Sequence, residues 1–121
     1  MKLNMSAKVI AVDFDGTLCE NKWPDIGEPN NEIIEYIKDE RRNGAKIVLW
    51  TCRDGLQLTY AVNWCTQQGI YFDTINRNVK EAIELFGADT RKVCADEYID
   101  DHNLTKFKLP FNAVQIGETN K

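Results

Sequence analysis

Histidine is nearly missing from this sequence: His102 is the only one. The four cysteines (Cys19, Cys52, Cys65, Cys94) form no CxxC pair and no Cys/His pairing. That disfavours a zinc site, which needs such ligands at close spacing. With no export signal, four reduced thiols are expected. No apolar run approaches the ~20 residues that a membrane helix needs. Met1, Lys2, Leu3 and Asn4 lack the apolar stretch of a signal peptide, so a cytoplasmic location is expected. Basic residues are outnumbered, 15 Lys and Arg against 19 Asp and Glu, for a net charge of −4. This balance argues against non-specific binding to duplex nucleic acid and leaves room for a local anion site. Repeats, low-complexity tracts and linkers are absent too. The 121 residues suit a single domain spanning 1–121 with one core.

What is present alternates. Ala7 to Val12 is a short apolar run that stops at Asp13 and reads as a buried strand. Pro24, Gly27 and Pro29 mark a loop. Asn30 is a candidate cap for a helix with Ile33, Ile34 and Ile37 on its apolar face, stopped by Gly44. Ile47 to Trp50 reads as a second buried strand, ending at Thr51. Asp54 with Gln57 resembles a capping box. Leu58, Ala61, Val62 and Cys65 then follow at helical spacing up to Gly69. Ile70 to Ile75 reads as a third strand. Asn78 with Glu81 suits the start of a short helix bearing Val79, Ala82, Ile83 and Phe86, stopped by Gly87. Tyr98 and Ile99 form a short strand running into Asp100 and Asp101, and Val114 to Ile116 a last edge strand.

Strands alternating with helices predict an α/β domain of three layers, α/β/α, with a mainly parallel, Rossmann-like sheet covered on both faces. Ligands of such sheets bind beyond the carboxyl ends of the strands. Three of those ends carry polar residues: Asp13 and Asp15, Thr51 and Arg53, Asp100 and Asp101. Parallel strands bring them together although they lie far apart in sequence. Carboxylates at that density need protonation or a cation. Mg²⁺ suits few carboxylates plus a substrate phosphate. In an extended strand end, residues i and i+2 point the same way, so Asp13 and Asp15 can address one phosphorus. One carboxylate can act as nucleophile and the other as acid and base. Gly16 lets the chain turn tightly and can offer its amide to phosphoryl oxygens.

The hexapeptide Asp13-Phe14-Asp15-Gly16-Thr17-Leu18, directly after an apolar strand, resembles the first motif of the haloacid dehalogenase-like (HAD) phosphohydrolase superfamily. Thr51 resembles its second motif, and Ile99-Asp100-Asp101 its acidic fourth. The resemblance implies a HAD-type fold and a Mg²⁺-dependent phosphomonoesterase. Asp13 would be nucleophile and metal ligand. Asp15 would be general acid and base, with its backbone carbonyl on Mg²⁺. Thr51 would hydrogen-bond the transferring phosphoryl group, and Asp100 and Asp101 would complete the metal site.

Thr51-Cys52-Arg53 resembles the second motif of polynucleotide 3′-phosphatases, with Arg53 offering a planar fork to phosphate and Cys52 a spacer. Two lysines compete for the role of neutralising the nucleophile and phosphate. Lys80 stands near a predicted helix N-terminus. Lys92 stands in Arg91 to Asp96, ahead of Tyr98 to Asp101, which resembles the 5′(3′)-deoxyribonucleotidases. A straight strand would hold Lys92 about 26 Å from Asp100, so Lys92 serves only if Arg91 to Asp96 folds back. Lys92 is preferred on the local match, and Asp96 and Glu97 read as structural.

Leu18 to Asn30 and the stretch after Thr51 are too short for a cap domain, so the resemblance points to the capless group. An open site suits phosphates on large molecules such as nucleic-acid ends. It also suits small ones such as nucleotides or sugar phosphates if a second subunit of a homo-oligomer closes the cleft. Trp23 can line the entrance or pack locally. Three other readings share these residues: a phosphotransferase, a non-catalytic phosphate-binding module, and a receiver-type signalling domain. A receiver carries its phosphoacceptor Asp at the end of the middle strand, where this sequence has Thr51.

Overall fold

The computed structural model describes residues 7–90 and 93–100. The elements run β1 (Val9–Val12), β2 (Cys19–Lys22), β3 (Asp25–Pro29), α1 (Asn31–Arg42), β4 (Lys46–Leu49), α2 (Gly55–Gln67), β5 (Thr74–Ile75), α3 (Lys80–Phe86) and β6 (Glu97–Ile99). Four strands form one sheet in the order β5-β4-β1-β6, all parallel. The expected strand over Val114 to Ile116 lies outside the described residues. No described helix is long and apolar enough to cross a membrane.

The alternation along β1 builds both faces. Ile10 and Val12 join Ile47 and Leu49 under Ile33, Ile34 and Ile37 of α1 and Ala61 and Cys65 of α2. Val9 and Ala11 join Val48 under Val79, just before α3, and Ala82 within it. Strand residues alternate between faces, so a fully buried strand has to be apolar throughout. Each buried isoleucine of α1 stabilises the fold by about 1.5–3 kcal/mol. The order of the strands decides the layers. β1 to β4 to β5 steps one way, so right-handed crossovers put α1 and α2 on one face, and the return to β6 puts α3 on the other.

Several elements depart from what their sequences predict. The loop around Pro24 and Gly27 is an antiparallel hairpin of β2 and β3. Its strands are mostly exposed, so the apolar alternation that advertises a strand is missing. The third strand shrinks to two residues because the Asp73 carboxylate accepts from the Ile47 amide at 2.7 Å and from Arg41 Nη1 at 2.8 Å. A side chain thus replaces the ladder there. The helix starts at Asn30, Asp54 and Val79 lack side-chain capping bonds. Asn78, predicted to cap α3, spends its amide elsewhere. Trp50, predicted to end a buried strand, is 37% exposed.

The hairpin depends on Gly27. A Cβ there would stand 2.5 Å from the Glu20 carbonyl oxygen and 2.7 Å from the Glu20 Cβ. Gly27→Ala is expected to cost about 1–3 kcal/mol by overpacking, read as a lower urea midpoint at unchanged slope. An unchanged midpoint would mean that the two strands part without cost.

Candidate functional site at the carboxyl edge of the sheet

The loop after β1 begins at Asp13, whose amide donates to the Ile99 carbonyl of β6 at 2.9 Å. Phe14 turns into the core, edge-on to Trp64 at 5.6 Å between ring centroids. The Thr17 and Leu18 amides both donate back to the Phe14 carbonyl, at 3.1 and 3.0 Å. Gly16 makes this possible at φ +83°, a region open to glycine at no steric cost. Its amide donates to the Cys19 carbonyl at 2.9 Å, so the anion contact expected of it is spent inside the loop. Thr17 is fully buried and its hydroxyl lies 3.5 Å from Asp13 Oδ2 as a donor. The sequence quotes Thr17 within the motif but gives no hint of that role.

The second edge follows β4. The Trp50 amide donates to the Val12 carbonyl at 2.9 Å, which brings the end of β4 beside Asp13. The Thr51 amide donates to Asn76 Oδ1 at 2.8 Å, and Thr51 Oγ1 accepts from the Arg53 amide at 3.1 Å. Asn76, just past β5, takes φ +56° and donates its own amide to the Leu49 carbonyl at 2.7 Å. Asparagine tolerates this left-handed conformation better than most residues. An asparagine directly after a predicted strand was the available signal, and it was missed.

Arg53 is 2% exposed and all five of its side-chain N–H groups are engaged. Nε and Nη2 grip Asp15 Oδ2 and Oδ1 at 2.8 and 2.7 Å. Nη2 also donates to the Asp25 carbonyl at 3.0 Å, and Nη1 to the carbonyls of Pro24 and Gln57 at 3.3 Å each. The guanidinium carbon lies 5.0 Å from the ring centroids of both Phe14 and Trp23. The hydrogen bonds to Asp15 outweigh burial and raise the Arg53 pKa. A guanidinium has only five donors, so the fork offered to a phosphate on sequence grounds is occupied by Asp15. Trp23 is a lid on this cation, 56% exposed.

Asp13, Trp50, Thr51, Cys52, Asn76 and Asp100 line one cleft of about 440 Å³, with Val93 on its wall. It lies at the carboxyl ends of β1, β4 and β6, where the strand order reverses, the place such sheets keep for ligands. Among the described residues no three acidic, cysteine or histidine side chains converge to hold a metal. Two carboxylates, Asp13 and Asp100, share the cleft, and their hard oxygens suit Mg²⁺. With its carboxylate on Arg53, Asp15 keeps its backbone carbonyl for the ligand role that the resemblance implies. Asp101 lies outside the described residues.

The lysines separate. Lys80 lines a different cleft, with Asp73, Arg77 and Glu84. Lys92 lies outside the described residues, but both flanks of its segment are anchored. Asn78 Nδ2 donates to Asp89 Oδ1 at 2.8 Å and to the Thr90 carbonyl at 3.2 Å, while its Oδ1 accepts from the Cys94 amide at 2.7 Å. Val93 stands on the cleft wall, whereas the Asp96 amide reaches the Val9 carbonyl at 2.7 Å, at the opposite end of β1. The chain therefore runs down from Val93 to Asp96 and returns along β6. Tyr98 fixes this path, its hydroxyl donating to the Val93 carbonyl and accepting from the Ala95 amide at 3.1 Å.

Asp96 and Glu97 are structural, as expected. Asp96 Oδ2 accepts from the Val9 amide at 2.8 Å. Glu97, 4% exposed, accepts from the Tyr36 hydroxyl at 2.7 Å and pairs with Lys8 at 2.8 Å.

No protein-family model matches the sequence, and no curated protein does. A solved structure does, described as that of the conserved protein coded by a locus from Bacteroides thetaiotaomicron. It shares 32% sequence identity with this chain, over 96% of this chain and 93% of that one, at a TM-score of 0.75.

The Asn78 anchor is open to titration. Hydrogen bonds from the Asn78 side chain and backbone hold Asp89 below its ordinary 3.8. The stabilisation is therefore present above the unfolded value and lost as pH falls through the lower folded one. The Asp89 carboxyl carbon is expected to titrate by NMR with a midpoint below 3.8, and Asn78→Ala to bring it back up. An unmoved midpoint would remove the Asn78 side chain as a cause, since the variant keeps the backbone bond.

Proposed function

The chain belongs to one family with the conserved Bacteroides thetaiotaomicron protein, and from its own residues we propose that it is a Mg²⁺-dependent phosphomonoesterase of the capless HAD type. One observation carries the reading: the Asp13 carboxylate shares a cleft with Thr51 and Asp100, while Asp15, two residues on, is held by a buried arginine. A structural role for these groups leaves such a gathering at three separate strand ends without a reason. Between β1 and β4 the chain carries only the β2–β3 hairpin and α1, which supports an uncapped, open site.

In this reading an Asp13 oxygen attacks the phosphorus of the ester as the bond to the leaving oxygen breaks. Asp15 gives that oxygen its proton. The aspartyl-phosphate is then opened by water, whose proton returns to Asp15, and the phosphate leaves with Asp13 restored. One proton thus cycles through Asp15. Arg53 holds the Asp15 carboxylate in one orientation through two parallel hydrogen bonds. The Thr51 hydroxyl, oriented by the Arg53 amide, serves a phosphoryl oxygen. Lys92 balances the charge that gathers there. Asp13, Asp100, Asp101 and the Asp15 carbonyl would hold Mg²⁺, which would neutralise charge on the phosphate oxygens.

The test is phosphate release with Mg²⁺ from mononucleotides, phosphorylated oligonucleotides and sugar phosphates. Asp13→Asn, with an amide in place of the nucleophile, is expected to lose roughly 10⁴-fold or more in kcat at unchanged thermal midpoint. Normal turnover in that variant would refute the role. Arg53→Lys exchanges a planar fork for a point charge. It is expected to lower kcat roughly 10²-fold and to accumulate hydroxylamine-labile phosphoprotein, because the base step suffers. A variant that turns over as fast as the parent would show that Asp15 needs no fork.

A further inference from the structure

We infer that Trp50 is the platform for the leaving group, and that the ester this cleft selects carries a flat aromatic group, as the base of a nucleotide is. The inference rests on the phosphatase reading of Asp13. Its ground is a rigid aromatic face beside the reacting carboxylate. The Trp50 backbone is fixed by its amide bond to the Val12 carbonyl, one residue before Asp13. Residue 50 continues the face of Val48, where β6 contributes Tyr98 and the helical cover is the seven-residue α3. The ring therefore emerges at the sheet edge, 37% exposed, on the wall that also bears Asp13, Thr51 and Asp100.

The ring is braced. The Tyr98 ring lies 5.6 Å from it, tilted by 56°. Tyr98 in turn is bonded at its hydroxyl to Val93 and Ala95. A side chain held in this way gives up little freedom when a ligand stacks on it, which is what makes a preorganised platform effective. Burying the Trp50 face against an aromatic leaving group removes apolar surface from water and adds ring stacking. A compact alkyl phosphate gains neither. The other exposed tryptophan, Trp23, is already spent on Arg53. Tyr60 and Tyr71, also exposed, do not line this cleft.

The test compares a nucleoside monophosphate with glycerol phosphate, in the parent, Trp50→Ala and Trp50→Phe. In phosphate release with Mg²⁺, the preference for the nucleotide, as a ratio of kcat/KM values, is expected to drop about tenfold or more in Trp50→Ala. Most of the change should lie in KM, and Trp50→Phe should restore most of the preference. An unchanged ratio, or an equal loss on both esters, would overturn the inference while leaving the phosphatase reading intact. Equilibrium binding of the same two compounds to the Asp13→Asn protein, with and without the Trp50 change, gives a readout independent of turnover. If the parent hydrolyses neither ester, nor any phosphorylated oligonucleotide or sugar phosphate, the phosphatase reading fails. The platform then stands only if the nucleotide still binds more tightly and loses that advantage in Trp50→Ala. If Trp50→Ala is destabilised and Trp50→Phe shows no selectivity change, the ring merely covers the chain and the inference falls.

Discussion

One buried cation organises the carboxyl edge of this protein. Arg53 bonds to the loop after β1 through Asp15, to the hairpin through the carbonyls of Pro24 and Asp25, and to α2 through that of Gln57. Phe14 and Trp23 enclose its faces. Desolvating a charge is costly unless it is paired and its hydrogen bonds are complete. Here every donor finds an acceptor, so the guanidinium tolerates its place. The consequence is geometric: a carboxylate gripped by two parallel bonds has one orientation. Asp15 is aimed by residues 38 positions away in sequence.

The parallel register does the rest. Val12 stands opposite Leu49 on one side and Ile99 on the other. The residues that follow each strand therefore emerge side by side, and Asp13, Thr51 and Asp100 line a common cleft. At the opposite end of the sheet the polar groups serve stability. Burial lowers the Lys8 pKa, but the bond to Glu97 and its charge more than offset this and leave it raised. Burial and the same Glu97 raise the Tyr36 hydroxyl, which stays a donor. Burial likewise pushes the Cys19 thiol up to about 11 and the Cys65 thiol up to about 12, so both remain apolar filling in the core. The two ends of one sheet thus use charge in opposite ways, closed and paired below, gathered around an open cleft above.

Either side of residues 91 and 92, the chain is bound by Asn78 at Asp89, Thr90 and Cys94, by Tyr98 at Val93 and Ala95, and by Val9 at Asp96. Irregular backbone inside a domain needs side chains to satisfy its polar groups. Asn78 and Tyr98 meet that need, and in doing so they turn the chain back on itself between the cleft and β6.

Sequence alone determined the class of fold, the strands of the parallel sheet with the three helices between them, and the three strand ends where polar residues gather. Those features are local: apolar runs, helical spacing and glycine stops at Gly44, Gly69 and Gly87 act within a few residues. It also singled out Asp13, Asp15, Thr51 and Asp100, because a carboxylate or hydroxyl directly after a buried strand is conspicuous. Tertiary structure alone decided what each polar side chain touches. Arg53 looked like a phosphate ligand until Asp15 took its fork. Asn78 looked like a cap until a segment more than ten residues later claimed its amide, and Asp73 cut a strand short by reaching Ile47. Side-chain hydrogen bonds of this kind depend on which distant backbone arrives within 3 Å, and no pattern along the chain encodes that distance.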